Sequence, residues 1–176
     1  MPPEVIASNL CLIIPNATLY HFGILSSTMH NAWMRTVCGR LESRYRYSAG
    51  IVYNNFPWPQ TPSDVGAGHA REVPENKNIA GMARSYRDRV ETAAQAVLDA
   101  RAQFPQSTLA DLYDPLTMPP VLVKAHQALD RAVDACYRKA AFTSDAQRVE
   151  FLFERYQQLT SLLPMEKKPV RRKRQG

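Results

Sequence analysis

The N-terminal part of the chain carries apolar runs that predict short strands around a single helix. Residues 4–25 contain β-branched or apolar stretches bounded by turn residues, a pattern typical of short strands. A helix follows, with Ser27 as its N-cap and an apolar stripe at four-residue spacing, formed by Met29, Trp33 and Val37. We expect this helix to end near Gly39, where glycine can adopt the left-handed conformation, and Trp33 to lie in the core.

From Ile79 onward the apolar residues recur with the 3.6-residue period of helices. One run ends at Pro105, a second begins at Pro119-Pro120, and a third follows Ser144, which has the spacing of a capping box with Gln147. The pattern predicts an α+β fold that is mostly α, with a partial sheet and one helix followed by a small helical bundle. The expected divisions are residues 1–59 for the sheet part, 60–78 for a linker, 79–163 for the bundle and 164–176 for a disordered basic tail.

Charge and cysteine content narrow the classes of function only slightly. The chain has a net charge of +6, but its last eleven residues hold six basic residues against Glu166, which leaves a nearly neutral body. The three cysteines, at positions 11, 38 and 136, lie far apart and match no zinc motif, so we expect buried, reduced thiols and a cytoplasmic protein. No apolar run approaches the roughly 20 residues that cross a bilayer, and we expect no membrane association.

The sharpest candidate for chemistry is the run Arg44-Tyr45-Arg46-Tyr47. Residues 44–47 and 51–53 predict a strand pair with a turn at 48–50, so both arginines would project from one face and both tyrosines from the other. Guanidinium groups can contact phosphates or guanine O6 and N7, which predicts DNA contact; the other interpretation is a solvated arginine face above a tyrosine core.

Four more residues are candidates for DNA contact. Arg35 and Arg40, around the polar sides of the predicted helix, would bind phosphates. Glu42 would accept a hydrogen bond from cytosine N4 or would neutralise Arg46. Asn54 has a DNA-contacting and a structural interpretation, because Asn54 and the following Phe-Pro-Trp-Pro run could simply direct the chain out of the sheet.

A family resemblance gives these residues a context. The run HFGILSSTMHNAWMRTVCGRLESRYRYSAGIVYNNFPWP, residues 21–59, resembles the end of the target-recognition domain of MmeI-like enzymes, which are single-chain restriction–modification proteins that methylate adenine. The stretches AAQAVLDARAQFPQSTLADLYDPLTMPP and FTSDAQRVEFLFERYQQLT are similar to the family's helical C-terminal domain. The resemblance implies that residues 1–59 belong to a DNA target-recognition domain, and that double-stranded DNA is the partner.

The resemblance also implies catalytic parts that these residues do not supply. The sequence has neither the glycine-rich loop that binds S-adenosylmethionine, nor the Asn-Pro-Pro-aromatic motif that holds a flipped adenine, nor a nuclease triad. We therefore expect no catalytic residue, no metal site and no cofactor here, with S-adenosylmethionine bound by a methyltransferase domain of the same or a neighbouring polypeptide. Because a few short strands make a poor sheet alone, that polypeptide would also complete the recognition domain.

Two functional hypotheses follow. The first is the DNA-recognition and positioning portion of a site-specific adenine DNA methyltransferase, which is not an enzyme by itself. The alternative is a helical protein-interaction or oligomerisation module, formed by residues 79–160, that does not bind DNA.

Overall fold

Helices make up most of the residues that the structure describes. The computed structural model describes residues 11–59 and 77–161, with side chains given from residue 84 onward in the second range. The elements are α1 (Leu19–Ser26), α2 (Thr28–Val37), β1 (Gly39–Leu41), β2 (Arg44–Arg46), a π-helical turn (Ala49–Tyr53), α3 (Lys77–Ala102), α4 (Leu109–Leu112), α5 (Pro120–Tyr137) and α6 (Asp145–Thr160). The α+β, mostly α, fold class is thereby confirmed.

The first helix replaces a predicted strand, so the strand assignment for residues 19–25 is wrong. A capping box begins α1: the Thr18 hydroxyl accepts from the Tyr20 N–H at 3.2 Å, and His21 Nδ1 accepts from the Thr18 N–H at 3.1 Å. None of its residues is exposed. A helix without an exposed face shows no polar stripe, which is why its apolar run resembled a strand. Residues 11–14 also form no strand, and residues 4–10 lie outside the described residues.

The second helix confirms the prediction made from its apolar stripe. Ser27 is its N-cap, and the Ser27 hydroxyl accepts from the His30 N–H at 3.4 Å. Trp33 is buried, and its indole Nε1 donates to the Val52 carbonyl at 3.1 Å. The helix ends at Val37 with Cys38 as its C-cap, but Gly39 does not take the left-handed conformation that we expected there. Extended backbone at Cys38 instead leads the chain directly into β1.

The strand containing Arg44 and Arg46 exists, but its predicted partner is wrong. β2 pairs antiparallel with β1, across a turn formed by Glu42 and Ser43. Residues 51–53 belong to the π-helical turn, in which the Asn54 N–H donates to the Ala49 carbonyl at 2.8 Å. The predicted turn residue Ser48 is the N-cap of this element. Val52 is fully buried beneath the indole of Trp33, so a tertiary contact fixes this local conformation.

The predicted helices after residue 76 are confirmed. Pro120 begins α5 at its first turn, Ser144 caps α6, and a capping box between Thr108 and Asp111 begins the short α4. The predicted linker overlaps the start of α3 at residues 77–78, and its other residues lie outside the described part, as does the predicted tail at 164–176. No helix among the described residues is long and apolar enough to cross a membrane.

One hydrophobic core joins the N-terminal elements to the helical bundle. Helix α1 packs on α3, and α2 packs on α6. The buried members come from both parts of the chain and include Ile24, Met29, Trp33, Val90, Val97, Leu122, Leu129 and Leu152. Two of the three cysteines, Cys38 and Cys136, are partly buried, whereas Cys11 is exposed, so the expectation of buried thiols is wrong for Cys11.

Candidate nucleic-acid interface

The hairpin of β1 and β2 presents its arginines to solvent. Leu41 lies opposite Arg44, and Gly39 lies opposite Arg46, so both arginines project from one face. Every residue from Gly39 to Tyr47 is exposed, and the Arg44 side chain is 85% accessible. The predicted orientation of Arg44 and Arg46 is therefore confirmed, and within the described part of the chain neither guanidinium has a buried ion-pair partner.

Arg40 projects from the opposite face, where Tyr45 holds it. Its guanidinium lies 4.3 Å from the centroid of the Tyr45 ring, and Nη2 donates to the Tyr45 hydroxyl at 3.2 Å. Nη1 donates to the Ser43 carbonyl at 3.4 Å. These contacts limit the rotamers of Arg40 before any ligand arrives. The tyrosine face is not a core face, since Tyr45 and Tyr47 are both exposed.

Glu42 occupies the turn between the strands. It has a positive φ of 56°, which is uncommon for a residue with a side chain. Its carboxylate lies 3.9 Å from Arg44 Nη2, so its ion-pair partner is Arg44 and not the Arg46 that the sequence suggested. Both side chains are largely exposed, and such a pair contributes little to stability. Either group can therefore exchange its partner for another ligand at small cost.

Arg35 and Asn54 lie outside the hairpin. Arg35 sits in the last turn of α2, and its Nη1 is 3.7 Å from Asp145 at the start of α6. Asn54 is the exposed C-cap of the π-helical turn. It lines a cavity of about 620 Å³ together with His30 and Tyr47. The structure thus groups Arg40, Arg44, Arg46 and Glu42 on one hairpin, with Arg35 on the preceding helix and Asn54 on the following turn.

Local charge distinguishes this part of the chain from the helices that follow. Residues 11–59 contain four arginines, Arg35, Arg40, Arg44 and Arg46, and a single acidic residue, Glu42. The near-neutral net charge of the whole body hides this imbalance, which is visible only in a short window of the sequence. On α3, by contrast, arginines alternate with carboxylates, and Arg87 pairs with Glu91 at 3.3 Å.

Comparison with known proteins assigns both parts of the chain. Residues 1–60 match the family model described as MmeI, target recognition domain, and residues 83–164 match the model described as MmeI, C-terminal domain. The two models together cover most of the chain. The chain belongs to the MmeI-like family.

Two relatives show how far the similarity extends. The MmeI-like chain is 38% identical over 157 residues to "DNA methyltransferase A" of Bacillus subtilis (strain 168), across 89% of this chain and 15% of that protein. It is also similar to the solved structure of the type IIL restriction–modification enzyme MmeI in complex with DNA, at 49% identity and a TM-score of 0.67. That match covers 85% of this chain and 17% of MmeI, so the chain spans about one sixth of each relative's length. The resemblance stated from the sequence is confirmed.

A buried histidine secures the MmeI-like hairpin, and sequence reasoning did not find it. His30 Nε2 is hydrogen-bonded to the Tyr47 hydroxyl at 3.0 Å, and the Phe56 ring lies edge-on to the imidazole with centroids 4.6 Å apart. Burial lowers the pKa of His30 to about 4, so the ring is neutral at physiological pH. Burial raises the pKa of the Tyr47 hydroxyl, and electrostatic repulsion from Tyr53 raises it further. The position of His30 beside Met29, at the edge of the apolar stripe, was the available signal.

The other polar groups of the MmeI-like chain serve the fold. Asp111 belongs to the capping box of α4, and Asp114 accepts from the Leu116 N–H at 2.7 Å in the following turn. Arg101 donates through Nε to the Tyr113 hydroxyl at 2.8 Å, and that hydroxyl is hydrogen-bonded to His126 Nε2 at 2.7 Å. Within residues 11–59 and 77–161, no group of three or more His, Cys, Asp or Glu side chains is placed to hold a metal ion.

Proposed function

We propose that this chain recognises duplex DNA through the β1–β2 hairpin and positions it for a site-specific methyltransferase that modifies adenine. The observation that carries the proposal is the exposed hairpin, with Arg40, Arg44 and Arg46 beside one carboxylate in a region that holds no other acid. Family membership supports it, because the relatives are a DNA methyltransferase and an enzyme solved with DNA.

The hairpin would enter the major groove of B-DNA, which admits a two-stranded β-ribbon. Arg44 and Arg46 would fork onto guanine O6 and N7, and Glu42 at the tip would accept from cytosine N4. A bidentate contact of this kind discriminates against a wrong base by about 1–3 kcal/mol. Arg35 and Arg40 would contact phosphates and so fix the register, and Asn54 would contact the DNA from the following turn.

Catalysis would come from a methyltransferase domain, in the same or a neighbouring polypeptide, that binds S-adenosylmethionine. No motif for that cofactor or for the flipped adenine is present in these residues. The role proposed for this chain is accordingly binding and orientation in the cytoplasm, where the DNA of a bacterial cell is accessible.

Fluorescence anisotropy with labelled duplex DNA tests the proposal. The full chain should bind at low salt, and the slope of log affinity against log salt should fall by about 0.9 for each phosphate contact removed. The variant R44A/R46A should bind at least about tenfold more weakly, since two charge-assisted contacts are lost. The matched control is R84A/R89A, which removes the same charge from exposed positions on α3.

Equal loss of affinity in both double variants would reduce the binding to non-specific charge attraction and would refute recognition by the hairpin. No binding by the wild-type chain at low salt would refute the proposal as a whole.

A second candidate function is a protein-interaction or oligomerisation module. The observation that favours it is an apolar group around the α4–α5 connection, where Leu109 and Val121 are exposed and Leu116 is 94% exposed. This candidate requires a stable dimer or complex in size-exclusion chromatography, and it requires that L109S/L116S dissociate it. A monomeric elution at micromolar concentration would exclude self-association through this surface.

A further inference from the structure

Two carboxylates of the helical bundle contact the two ends of α2. At its N-terminus, Asp130 of α5 accepts two hydrogen bonds from Thr28: from the backbone N–H to Oδ1 and from the hydroxyl to Oδ2, both at 2.7 Å. Near its C-terminus, Asp145 of α6 approaches Arg35 at 3.7 Å. The contacts at Thr28 are short and partly buried, whereas the pair at Arg35 is about half exposed. Asp130 is therefore the stronger of the two attachments.

The chemistry at Asp130 suits the end of a helix. The first N–H groups of a helix have no partner within it, and the helix dipole favours a negative charge there. In α2 the Ser27 hydroxyl accepts a hydrogen bond from the His30 N–H, and the Asp130 carboxylate accepts one from the Thr28 N–H. This second cap comes from 102 residues further along the chain, so it holds α2 against the bundle as well as capping it.

The position of α2 determines the position of the hairpin. β1 begins two residues after α2 ends, and His30 on α2 holds Tyr47 at the end of β2. Ten helical residues span about 15 Å, so a tilt of about 10° at Thr28 displaces the far end by about 2.6 Å. Contacts to base edges tolerate much smaller errors, of about 0.5 Å. If the N-terminus of α2 were not held in place, the arginines of the hairpin would therefore move out of register with the base edges.

We infer that Asp130 is a positioning residue for the arginine hairpin, and that through it the C-terminal bundle sets the geometry of DNA recognition. The DNA part of this inference rests on the proposed function. The structural part, that Asp130 immobilises residues 28–47, does not depend on DNA.

The experiment compares D130A and D130N with the control D134A in the full chain. Asp134 lies one turn further along α5 and accepts two hydrogen bonds from Arg148 of α6, at 3.1 and 2.7 Å. Removing either carboxylate deletes the same number of hydrogen bonds, but only Asp130 contacts α2. D130N retains one acceptor for the Thr28 N–H and serves as the conservative variant.

Hydrogen–deuterium exchange and DNA anisotropy are then measured on all four proteins, well below their unfolding temperatures. In D130A, the amides of residues 28–47 should exchange at least about tenfold faster than in the wild type, and duplex affinity should fall about tenfold, within the range typical of coupled sites. D130N should lie between the two, and D134A should leave both measurements within about twofold of the wild type.

Three results would overturn the inference: unchanged exchange in D130A, equal changes in D130A and D134A, or faster exchange with unaltered DNA affinity. If the wild-type chain binds no DNA while D130A still accelerates exchange at residues 28–47, the proposed function fails and the structural attachment stands.

Discussion

Acidification is expected to destabilise this protein through one buried imidazole. His30 is only 3% exposed, and burial lowers its pKa from 6.5 to about 4. The unfolded chain therefore binds a proton on this residue between pH 6.5 and 4, while the folded chain does not. Since stability rises with pH wherever the unfolded state holds more protons, the stabilising contribution is complete above pH 6.5 and is lost as pH falls toward 4.

The size of the effect follows from the two pKa values. The linkage relation gives a loss of about 2 kcal/mol in the free energy of unfolding between pH 7.5 and 5.0, and about 3 kcal/mol at the lower limit. Such a loss is large against the roughly 5–15 kcal/mol by which domains are stable. Part of it should act locally, because His30 Nε2 is hydrogen-bonded to the Tyr47 hydroxyl and both ring nitrogens are donors once the imidazole is protonated.

Urea unfolding of the wild type and of H30Q, at both pH values, measures the contribution. Glutamine can bond to the Tyr47 hydroxyl but does not titrate, so the wild type should lose about 2 kcal/mol more than H30Q on acidification. His126 also has a lowered pKa, chiefly because of burial, but it is present in both proteins and cancels in the difference. The control Y47F removes the hydrogen bond and leaves the imidazole in place.

An equal loss of stability in the wild type and H30Q would refute the reasoning. It would mean that His30 accepts a proton in the folded protein at nearly the same pH as in the unfolded chain. A wild-type loss that disappears in Y47F would assign the effect to the hydrogen bond rather than to burial.

Three further predictions concern single substitutions. Replacing Gly23 by alanine should destabilise the protein by about 1–3 kcal/mol in urea unfolding despite the better helix propensity, because the new Cβ would lie 2.8 Å from Val90 Cγ1; an unchanged midpoint would contradict it. Replacing Glu42 by glycine should raise the free energy of unfolding by about 1 kcal/mol, since it relieves a positive φ of 56°, and a lowered thermal midpoint would count against strain at this turn. If the proposed function holds, D145N should strengthen duplex binding about two- to fivefold by releasing Arg35 from a competing carboxylate, because the half-exposed Arg35–Asp145 pair contributes little to holding α2 beside the bonds of Asp130; weaker binding in anisotropy would oppose that view.

The period of the apolar residues was sufficient to predict the helices that have one solvent-exposed face. α2, α3, α5 and α6 each bury one stripe and expose the other, and their caps at Ser27 and Ser144 and the proline at the start of α5 are local signals. The failures share one cause. α1 has no exposed residue and the π-helical turn is held by Trp33, so neither shows a helical period in the sequence, and both resembled strands.

The candidate site likewise has features that the sequence predicts and features that only the structure shows. The faces of Arg44 and Arg46 follow from the two-residue period of a strand, and the scarcity of acids around them is a property of the sequence. The ion-pair partner of Glu42 depends on the pairing of β1 with β2. The sequence pattern paired residues 44–47 with 51–53 instead, and the Glu42–Arg44 ion pair could therefore not be predicted.

The sequence alone determined the helical periods, the family and the arginines at positions 35–46, because these are encoded in short windows. Only the tertiary structure decided what holds the hairpin in place. The carboxylate on the N-terminus of α2, the acid beside Arg35 and the histidine beneath Tyr47 are contacts between segments as far as 110 residues apart, the separation of Arg35 and Asp145. Such contacts exist only after the shared core has formed, since no local pattern specifies which distant helix will lie against a given end.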